Sequence, residues 1–458
     1  MRLLMNIPTE LIHLFMDHLS LPDLLRLSRA SRRCRELVDR HPTYWSRISV
    51  QQHGVPLSMP MIDLAITRLE RSSFAPVLID ILWENAWFDE PNSCGSECAY
   101  KLVAAIRANM HRVGRLRASA DGQLMNAIID ALIEKAPRLE LLELESKRPW
   151  NLSSHLPSTL HVTAPNLRRL HLDGIGFTSS PESDGEPIVF PRMREYSVQS
   201  WRVADERVQW PDLDDLHRVF PHLENLTFRF GISHLLAAID RNKRLAQRLA
   251  RLKFLELVLD LKPSEDIGDE LAECLRVIPT VVALLPTLAA MRLLATHFPS
   301  SGDLHMASRP FGLHERSLSF SDPSSGRVRT FRLDNSLCEA EIKNLTHRVS
   351  HISVFLTGWD RMFYFDPYTE SLDTLTVTLD IALCAVLGDD SLFDGPKKIC
   401  ESISPPRLRT LVLKGTTLDL IRFTCIFLDV NEHGPLRLKL YGLRLVGDTT
   451  ETKVYGTI

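Results

Sequence analysis

Along the first fifty residues the apolar positions recur at helical spacing. Ile7, Leu11, Ile12, Phe15, Met16 and Leu19 read as one apolar stripe. Pro8 suits a first helical turn, where its missing N–H costs nothing. Ser20 is placed to cap a second helix, with Asp23 three residues later as a short capping-box partner. Leu21, Leu24, Leu25 and Leu27 are the apolar positions of that helix, and Cys34, Leu37 and Val38 mark a third. Pro42 ends it, because proline disfavours helix in the residue before it. Trp45 and Ile48 follow as apolar anchors. Three short helices form a poor independent core, yet this segment holds more large apolar side chains than so small a bundle can hide. That surplus predicts a docking surface for another protein. The plainer alternative is packing on the rest of the chain.

Beyond residue 110 a different pattern repeats, of the form P-x-L-x-x-L-x-L. It appears as APRLELLEL (136–144), APNLRRLHL (164–172), FPRMREYSV (190–198), FPHLENLTF (220–228), LARLKFLEL (249–257), LPTLAAMRL (285–293) and PPRLRTLVL (405–413). Weaker copies are VGRLRAS (113–119), RVRTFRL (327–333), VSHISVFL (349–356), ESLDTLTV (370–377) and GPLRLKL (434–440). Leading apolar positions at 139, 167, 193, 223 and 252 give steps of 28, 26, 30 and 29. The alternating tail predicts a short strand with one face inward. The Pro-x-Leu before it predicts the end of a helix and a turn. Amphipathic stretches such as 123–135 and 233–248 lie between the copies. The period and pattern resemble leucine-rich repeats, which implies a curved α/β solenoid of one strand and one helix per unit. The Asn or Cys usually buried after the strand is mostly missing, with His171-Leu172-Asp173-Gly174-Ile175 the nearest approach, so the array reads as irregular.

Residues 51–110 join the two regions, with a strand expected in 73–84 and a helix in 98–116. Inserts at 178–187, 299–303, 321–327 and 388–396 are rich in Ser, Pro, Gly and Asp and read as loops.

Composition narrows the function. The chain has 458 residues, long enough for about three domains or for a repeat protein. Apolar residues make up 44% and charged residues 24%, ordinary for a soluble globular protein. The net charge of −3 supplies no global field toward nucleic acid or anionic membrane. No apolar run is long enough for a membrane span, and no signal peptide is expected. The eight cysteines are scattered, which suits reduced thiols in the cytoplasm or nucleus better than a disulfide framework. Cys94 and Cys98 are close in sequence, but no ligand-spaced histidines accompany them, so no metal is expected.

No phosphate-cradling glycine loop, H-E-x-x-H or G-x-S-x-G is present, so neither a cofactor nor an enzymatic activity is expected. Asp212, Asp214 and Asp215 read as a solvated loop rather than a metal cluster. Arg26, Arg29, Arg32, Arg33 and Arg35 read as a solvated helix face. Arg241, Lys243, Arg244, Arg248, Arg251 and Lys253 alternate with Leu245, Leu249, Leu252 and Leu255, which fits an outer helix with its leucines inward.

The N-terminal segment resembles an F-box. The matching elements are Ile7-Pro8, Glu10-Leu11, the apolar stripe, the run from Asp23 to Ser28, Arg32 to Leu37, and Trp45 with Ile48. Ile7 stands where leucine is usual, and Cys34 where an aromatic is common. The resemblance covers about 45 residues and implies docking onto a Skp-type adaptor that bridges to a cullin. By position the contacts would come from Ile7, Pro8, Leu11, Ile12, Phe15, Leu19, Leu24, Leu25, Leu27 and Trp45. Some of these must instead hold the helices together. The whole arrangement resembles F-box proteins of mushroom-forming fungi. It implies an F-box over 1–50, a linker over 51–110 and a leucine-rich-repeat-like α/β solenoid over 111–458. The function implied is that of a substrate receptor of an SCF-type cullin ubiquitin ligase, acting by proximity and orientation. The alternative is an F-box scaffold without ubiquitination. Polar positions beside the strand leucines, Glu143, His171, Ser197, Thr227, Glu256 and Lys414, are the expected target-facing residues.

Overall fold

The computed structural model of the chain describes residues 7–19, 21–52, 59–72, 76–83, 94–120, 122–147, 155–177, 188–199, 216–229, 235–236, 239, 243–259, 269–284, 286–298, 303–311, 315–333, 348–355, 372–379, 408–415, 420–422, 437–441 and 444–446. The chain divides into two compact units, Met1–Phe228 and Arg229–Ile458.

The first unit opens with helices α1 (Thr9–Met16), α2 (Leu21–Ala30), α3 (Arg32–Arg40) and α4 (Pro42–Ser46). Ser31 caps α3 by accepting the Cys34 N–H at 3.0 Å. Pro42 both follows the end of α3 and starts α4, where its fixed φ is an advantage. Strand β1 (Arg47–Gln52) follows directly. Then come α5 (Met59–Arg71), β2 (Val77–Trp83), α6 (Cys94–Asn109), β3 (Val113–Ala120), α7 (Gly122–Ala131) and β4 (Leu141–Ser146). Short helix α8 (Leu160–Thr163), β5 (Arg169–Asp173), β6 (Glu195–Gln199), short helix α9 (Leu216–Val219) and β7 (Asn225–Arg229) complete the series. Neighbours in the sheet are neighbours in sequence, and β1 to β6 run parallel. Parallel neighbours require a crossover, which the intervening segments supply.

Period-two burial decides which strand face is inward. Val77, Ile79, Ile81 and Trp83 are buried in β2, while Leu78, Asp80 and Leu82 are only partly covered. Leu142 and Leu144, Leu170 and Leu172, and Tyr196 and Val198 continue the buried rows through β4, β5 and β6. Helix α7 packs on β3 and β4 and buries Leu124, Met125, Ile128 and Ile129. The core therefore lies against one face of the sheet.

The repeated proline has a structural reason. The carbonyls of Ala136, Ala164, Phe190 and Phe220 accept N–H bonds from Leu139, Leu167, Met193 and Leu223, at 3.0, 3.1, 3.3 and 3.3 Å. Each is a tight turn with Pro137, Pro165, Pro191 or Pro221 second, where the fixed φ fits and no N–H is needed. The carbonyl after the leading apolar residue then joins consecutive units. Glu140 accepts from Arg168 and Arg169, Arg168 from Arg194 and Glu195, and Arg194 from Glu224 and Asn225. Each turn thus fixes where the next strand begins.

The second unit contains α10 (Lys243–Leu249), β8 (Phe254–Val258), α11 (Asp269–Val277), β9 (Thr280–Leu284) and α12 (Leu288–Thr296). Strands β10 (Leu304–Phe311), β11 (Glu315–Asp322), β12 (Arg327–Leu333), β13 (Val349–Phe355), β14 (Thr374–Leu379) and β15 (Thr410–Gly415) follow. Next are β16 (Leu420–Arg422), β17 (Arg437–Tyr441) and β18 (Arg444–Val446), with β16 and β18 paired apart from the rest. The order across the unit's main sheet is β8, β9, β12, β11, β10, β13, β14, β15, β17. Strand β11 is antiparallel to both its neighbours, and the other pairs are parallel.

Three features of this unit depart from the repeat reading. LPTLAAMRL, expected as a turn and strand, forms helix α12. Thr287 caps it through Ala290 N–H, and the following Leu-Ala-Ala-Met-Arg-Leu-Leu-Ala has no β-branched residue, so local propensity favours helix. RVRTFRL is a strand, but it reaches the sheet through a meander rather than as the next unit in line. The insert at 321–327 is an ordered hairpin turn. Gly326 takes a φ of 67°, and Asp322 accepts from Ser324 N–H, Ser324 Oγ and Ser325 Oγ. Those donors hold its carboxyl down at about 2. The inserts at 178–187 and 388–396 lie outside the described residues.

Buried Arg329 organises the inner face of β12. Its Nη2 donates to the Leu275 carbonyl at 3.0 Å, Nη1 to Pro279 and Val328 carbonyls at 2.9 Å, and Nε to His297 Nδ1 at 3.2 Å. A guanidinium at the C-terminal end of α11 satisfies carbonyls that the helix itself leaves open. Leu245, Leu249 and Leu252 are buried while Arg244 is exposed, the arrangement expected of α10 from sequence.

Candidate functional site

The N-terminal helices share a small core of Ile12 and Met16 from α1, Leu24 from α2, Val38 from α3 and Tyr44 from α4. Ile7, Leu19, Leu25, Leu27 and Trp45 pack partly against it. Polar contacts tie the helices to one another, to β1 and to α5. Arg33 Nη2 donates to the Ile7 carbonyl at 3.2 Å, and Trp45 Nε1 to the Asp39 carbonyl at 2.6 Å. Thr43 Oγ1 donates to Asp17 Oδ1 at 2.9 Å, and Arg47 Nη1 to the Asp17 carbonyl at 2.9 Å. From α5, buried Arg68 donates to the carbonyls of Tyr44 and Arg47 and lies over the Tyr44 ring, 4.8 Å from its centroid. The module is therefore braced by the adjoining α/β region, which offsets its small core.

Helix α1 presents a second apolar face. Leu11, Leu14 and Phe15 are 55%, 59% and 60% exposed. Their spacing of three and four residues places them side by side on the helix. The single stripe expected from sequence is in fact two, with Ile12 and Met16 inward and Leu11, Leu14 and Phe15 outward. Leu14 is absent from the expected contact set, although its i+3 relation to Leu11 is readable in the sequence. Pro8 is also exposed. Ile12 and Leu24 sit at 6% and 2% exposure, so their side chains serve the module's own core and offer no outer surface. A helix apolar nearly all round, with one side uncovered, marks an interaction surface.

The arginine run around α2 and α3 behaves as a solvated face in part. Arg26 pairs with Asp23 at 2.8 Å and Arg32 with Glu36 at 3.1 Å, all at well-exposed positions. Ser20, the expected cap of α2, lies outside the described residues, as do Asp212, Asp214 and Asp215. His41 is buried beside His13, with ring centroids 5.0 Å apart, and lies 3.8 Å from Asp17. Burial, above all, holds its imidazole below the usual histidine range.

The expected target-facing residues separate into different surroundings. Glu143, His171 and Ser197 are partly buried and stand opposite one another in register across β4, β5 and β6. Glu143 accepts from Arg117 Nη2 at 2.8 Å on the neighbouring strand. Thr227 is partly buried on β7, and Lys414 is exposed on β15. Glu256 does not offer a free surface. It is 4% exposed and paired with Arg229 at 2.6 Å and Arg332 at 3.5 Å, so it is an internal counter-ion.

Among the described residues no group of three or more His, Cys, Asp and Glu side chains is arranged to hold a metal. Among the same residues no helix is long and apolar enough to cross a membrane. No curated protein matches the chain significantly. Residues 4–46 match the family model of the F-box domain, spanning α1 to α4 and the exposed Leu11, Leu14 and Phe15 face, and the chain is accordingly an F-box protein.

Proposed function

We propose that this protein is the substrate receptor of an SCF-type cullin ubiquitin ligase and is not itself an enzyme. F-box domains bind Skp-type adaptors in cullin complexes, and the observation that carries the reading is the uncovered apolar face of α1 inside that domain. Burying a Leu or Phe that is already half covered is worth roughly 1 kcal/mol each, about half the full value. Three such residues supply the centre of an interface, with Pro8 beside them. The α/β region is read as an irregular leucine-rich-repeat-like solenoid that holds the target. The recurring proline turns and the in-order parallel strands β1 to β6 support that reading. The layout is read as that of fungal F-box proteins, acting in the cytoplasm or nucleus. The chain contributes proximity and orientation, while a partner enzyme makes the bond.

Co-expression of the full chain with a Skp-type adaptor and a cullin, followed by affinity capture and a ubiquitin-transfer assay, tests this. Adaptor and cullin should both be captured, and bound protein should be ubiquitinated. Failure to capture the adaptor with a folded chain removes the reading. Capture of adaptor without cullin turns it to an F-box scaffold.

A further inference from the structure

A cavity of about 700 Å³ lies within the first unit, where the F-box helices meet the first three strands. Its walls differ chemically. Leu19, Leu21 and Met61 line it with apolar side chains, and Met61 is 47% exposed. The strands line it with arginines. Register puts Arg47 and Arg115 on either side of Leu78, and Ser49 and Arg117 on either side of Asp80. Adjacent parallel strands are about 4.8 Å apart, so these side chains share one patch.

The cationic side of the cavity is incompletely neutralised. Arg117 is engaged by Glu143. Among the described residues Arg115, partly buried, has neither an ion-pair nor a hydrogen-bond partner for its guanidinium. Arg68 also lines the cavity. It is 1% exposed, and its Nη1 is buried without a hydrogen-bond partner. Burial lowers its guanidinium to about 10, still charged at neutral pH. Asp80 is the one carboxylate among the lining residues, against four arginines. A half-buried guanidinium without a partner is costly, and an anion arriving there gains charge-assisted hydrogen bonds.

We propose that this cavity binds a small organic anion, a carboxylate or phosphate attached to an apolar body. The anionic head sits at Arg115 and Arg47, and the body lies against Leu19, Leu21 and Met61. Asp80 selects for a hydroxyl or other donor on the ligand. Because the cavity joins F-box helices to the sheet, occupancy links the adaptor-binding module to the remainder of the first unit. The binding itself does not depend on the ligase reading.

Isothermal titration of the full chain tests this with decanoate and decyl phosphate, using decanol as the neutral body and inorganic phosphate as the bare anion. At least one decyl anion should saturate one site, about tenfold or more tighter than decanol or inorganic phosphate. The tighter of the two identifies the head group. Arg115→Glu should abolish saturation, and Arg115→Lys should stay within about threefold of the parent, keeping charge but losing the fork. Thermal melting of both variants checks folding. The proposal fails if neither decyl anion saturates, as when a segment of chain fills the space. It also fails if decanol or inorganic phosphate binds as tightly, or if Arg115→Glu melts like the parent and binds undiminished. Adaptor capture is scored separately, so loss of one result does not imply loss of the other.

Discussion

Leu11 and Ile12 are consecutive on α1, about 100° apart around the helix, yet the first is 55% exposed and the second 6%. Identical chemistry at the two positions should therefore give opposite outcomes. Ile12→Ala leaves a cavity in a small core and should cost about 2–5 kcal/mol of stability. Leu11→Ala should change stability by less than about 0.5 kcal/mol. Leu11→Asp with Phe15→Asp should weaken adaptor capture by about tenfold or more without lowering the melting temperature. Denaturant unfolding and adaptor titration of the same variants separate the effects. A stable double mutant that binds the adaptor normally places the docking face elsewhere.

Glu256 and Lys414 are both polar positions beside strand leucines, but only Lys414 is exposed. Removing Glu256 takes from Arg229 and Arg332 the counter-ion that they share. The arginines keep some solvent, so Glu256→Ala should cost about 2 kcal/mol, below the range for a fully buried pair. Lys414→Ala should cost less than about 0.5 kcal/mol. Urea midpoints measured side by side check the contrast.

Three of the four F-box helices and most of the strands were legible from period or turn pattern, whereas the five-residue α4 is too short to show a period. Val77–Trp83 is a short apolar run bounded by Pro76, and the Pro-x-Leu turns announce β4 to β7. What escaped lacked such a mark. The meander of β10 to β12 is a matter of which strands pair, and RVRTFRL reads the same in either topology. The strand Thr280–Leu284 is a short apolar run with Pro279 directly before it, so the Pro-x-Leu spacing that marks β4 to β7 is missing and nothing flagged it. At the candidate site the sequence supplied the apolar surplus but not its partition. Helical spacing puts Leu11, Ile12, Phe15 and Met16 close together, and only packing against Leu24, Val38 and Tyr44 shows which pair turns inward. The cavity was invisible because Leu19, Met61 and Arg115 are brought together across the chain.

Arg329 bonds carbonyls from Leu275, Pro279 and Val328 and the imidazole of His297 while fully buried. No short side chain can reach all of these. Arg329→Ala strands several buried acceptors and opens a cavity, so it should cost at least about 3 kcal/mol. Arg329→Lys retains charge but cannot span the fork of acceptors, and should recover only part of that loss. Chemical denaturation of the full chain reads both. An alanine variant within about 1 kcal/mol of the parent would show that water satisfies the carbonyls instead.

His297 gives the fold a pH dependence of defined sign. Burial, then the charges of Arg329, Arg327 and Arg276, lower its imidazole from 6.5 to about 3. The neutral ring accepts from Arg329 Nε, a bond that a protonated ring could not make. Between about 6.5 and 3 the unfolded chain binds a proton at this position and the folded chain does not. Its contribution is complete above 6.5 and declines as pH falls toward 3, by up to about 1.4 kcal/mol per pH unit. Buried His41, also lowered chiefly by burial, adds in the same direction. Replacing His297 by Gln keeps an acceptor for Arg329 but removes the titration. Urea unfolding of the full chain at intervals between pH 7.5 and 4.5 should show stability falling with acidification in the parent, and falling less steeply in His297→Gln, about 1 kcal/mol or more apart across that interval once both are referenced to pH 7.5. Parallel curves would mean that the ring is protonated in the folded state or reaches water, and that Arg329 has another acceptor.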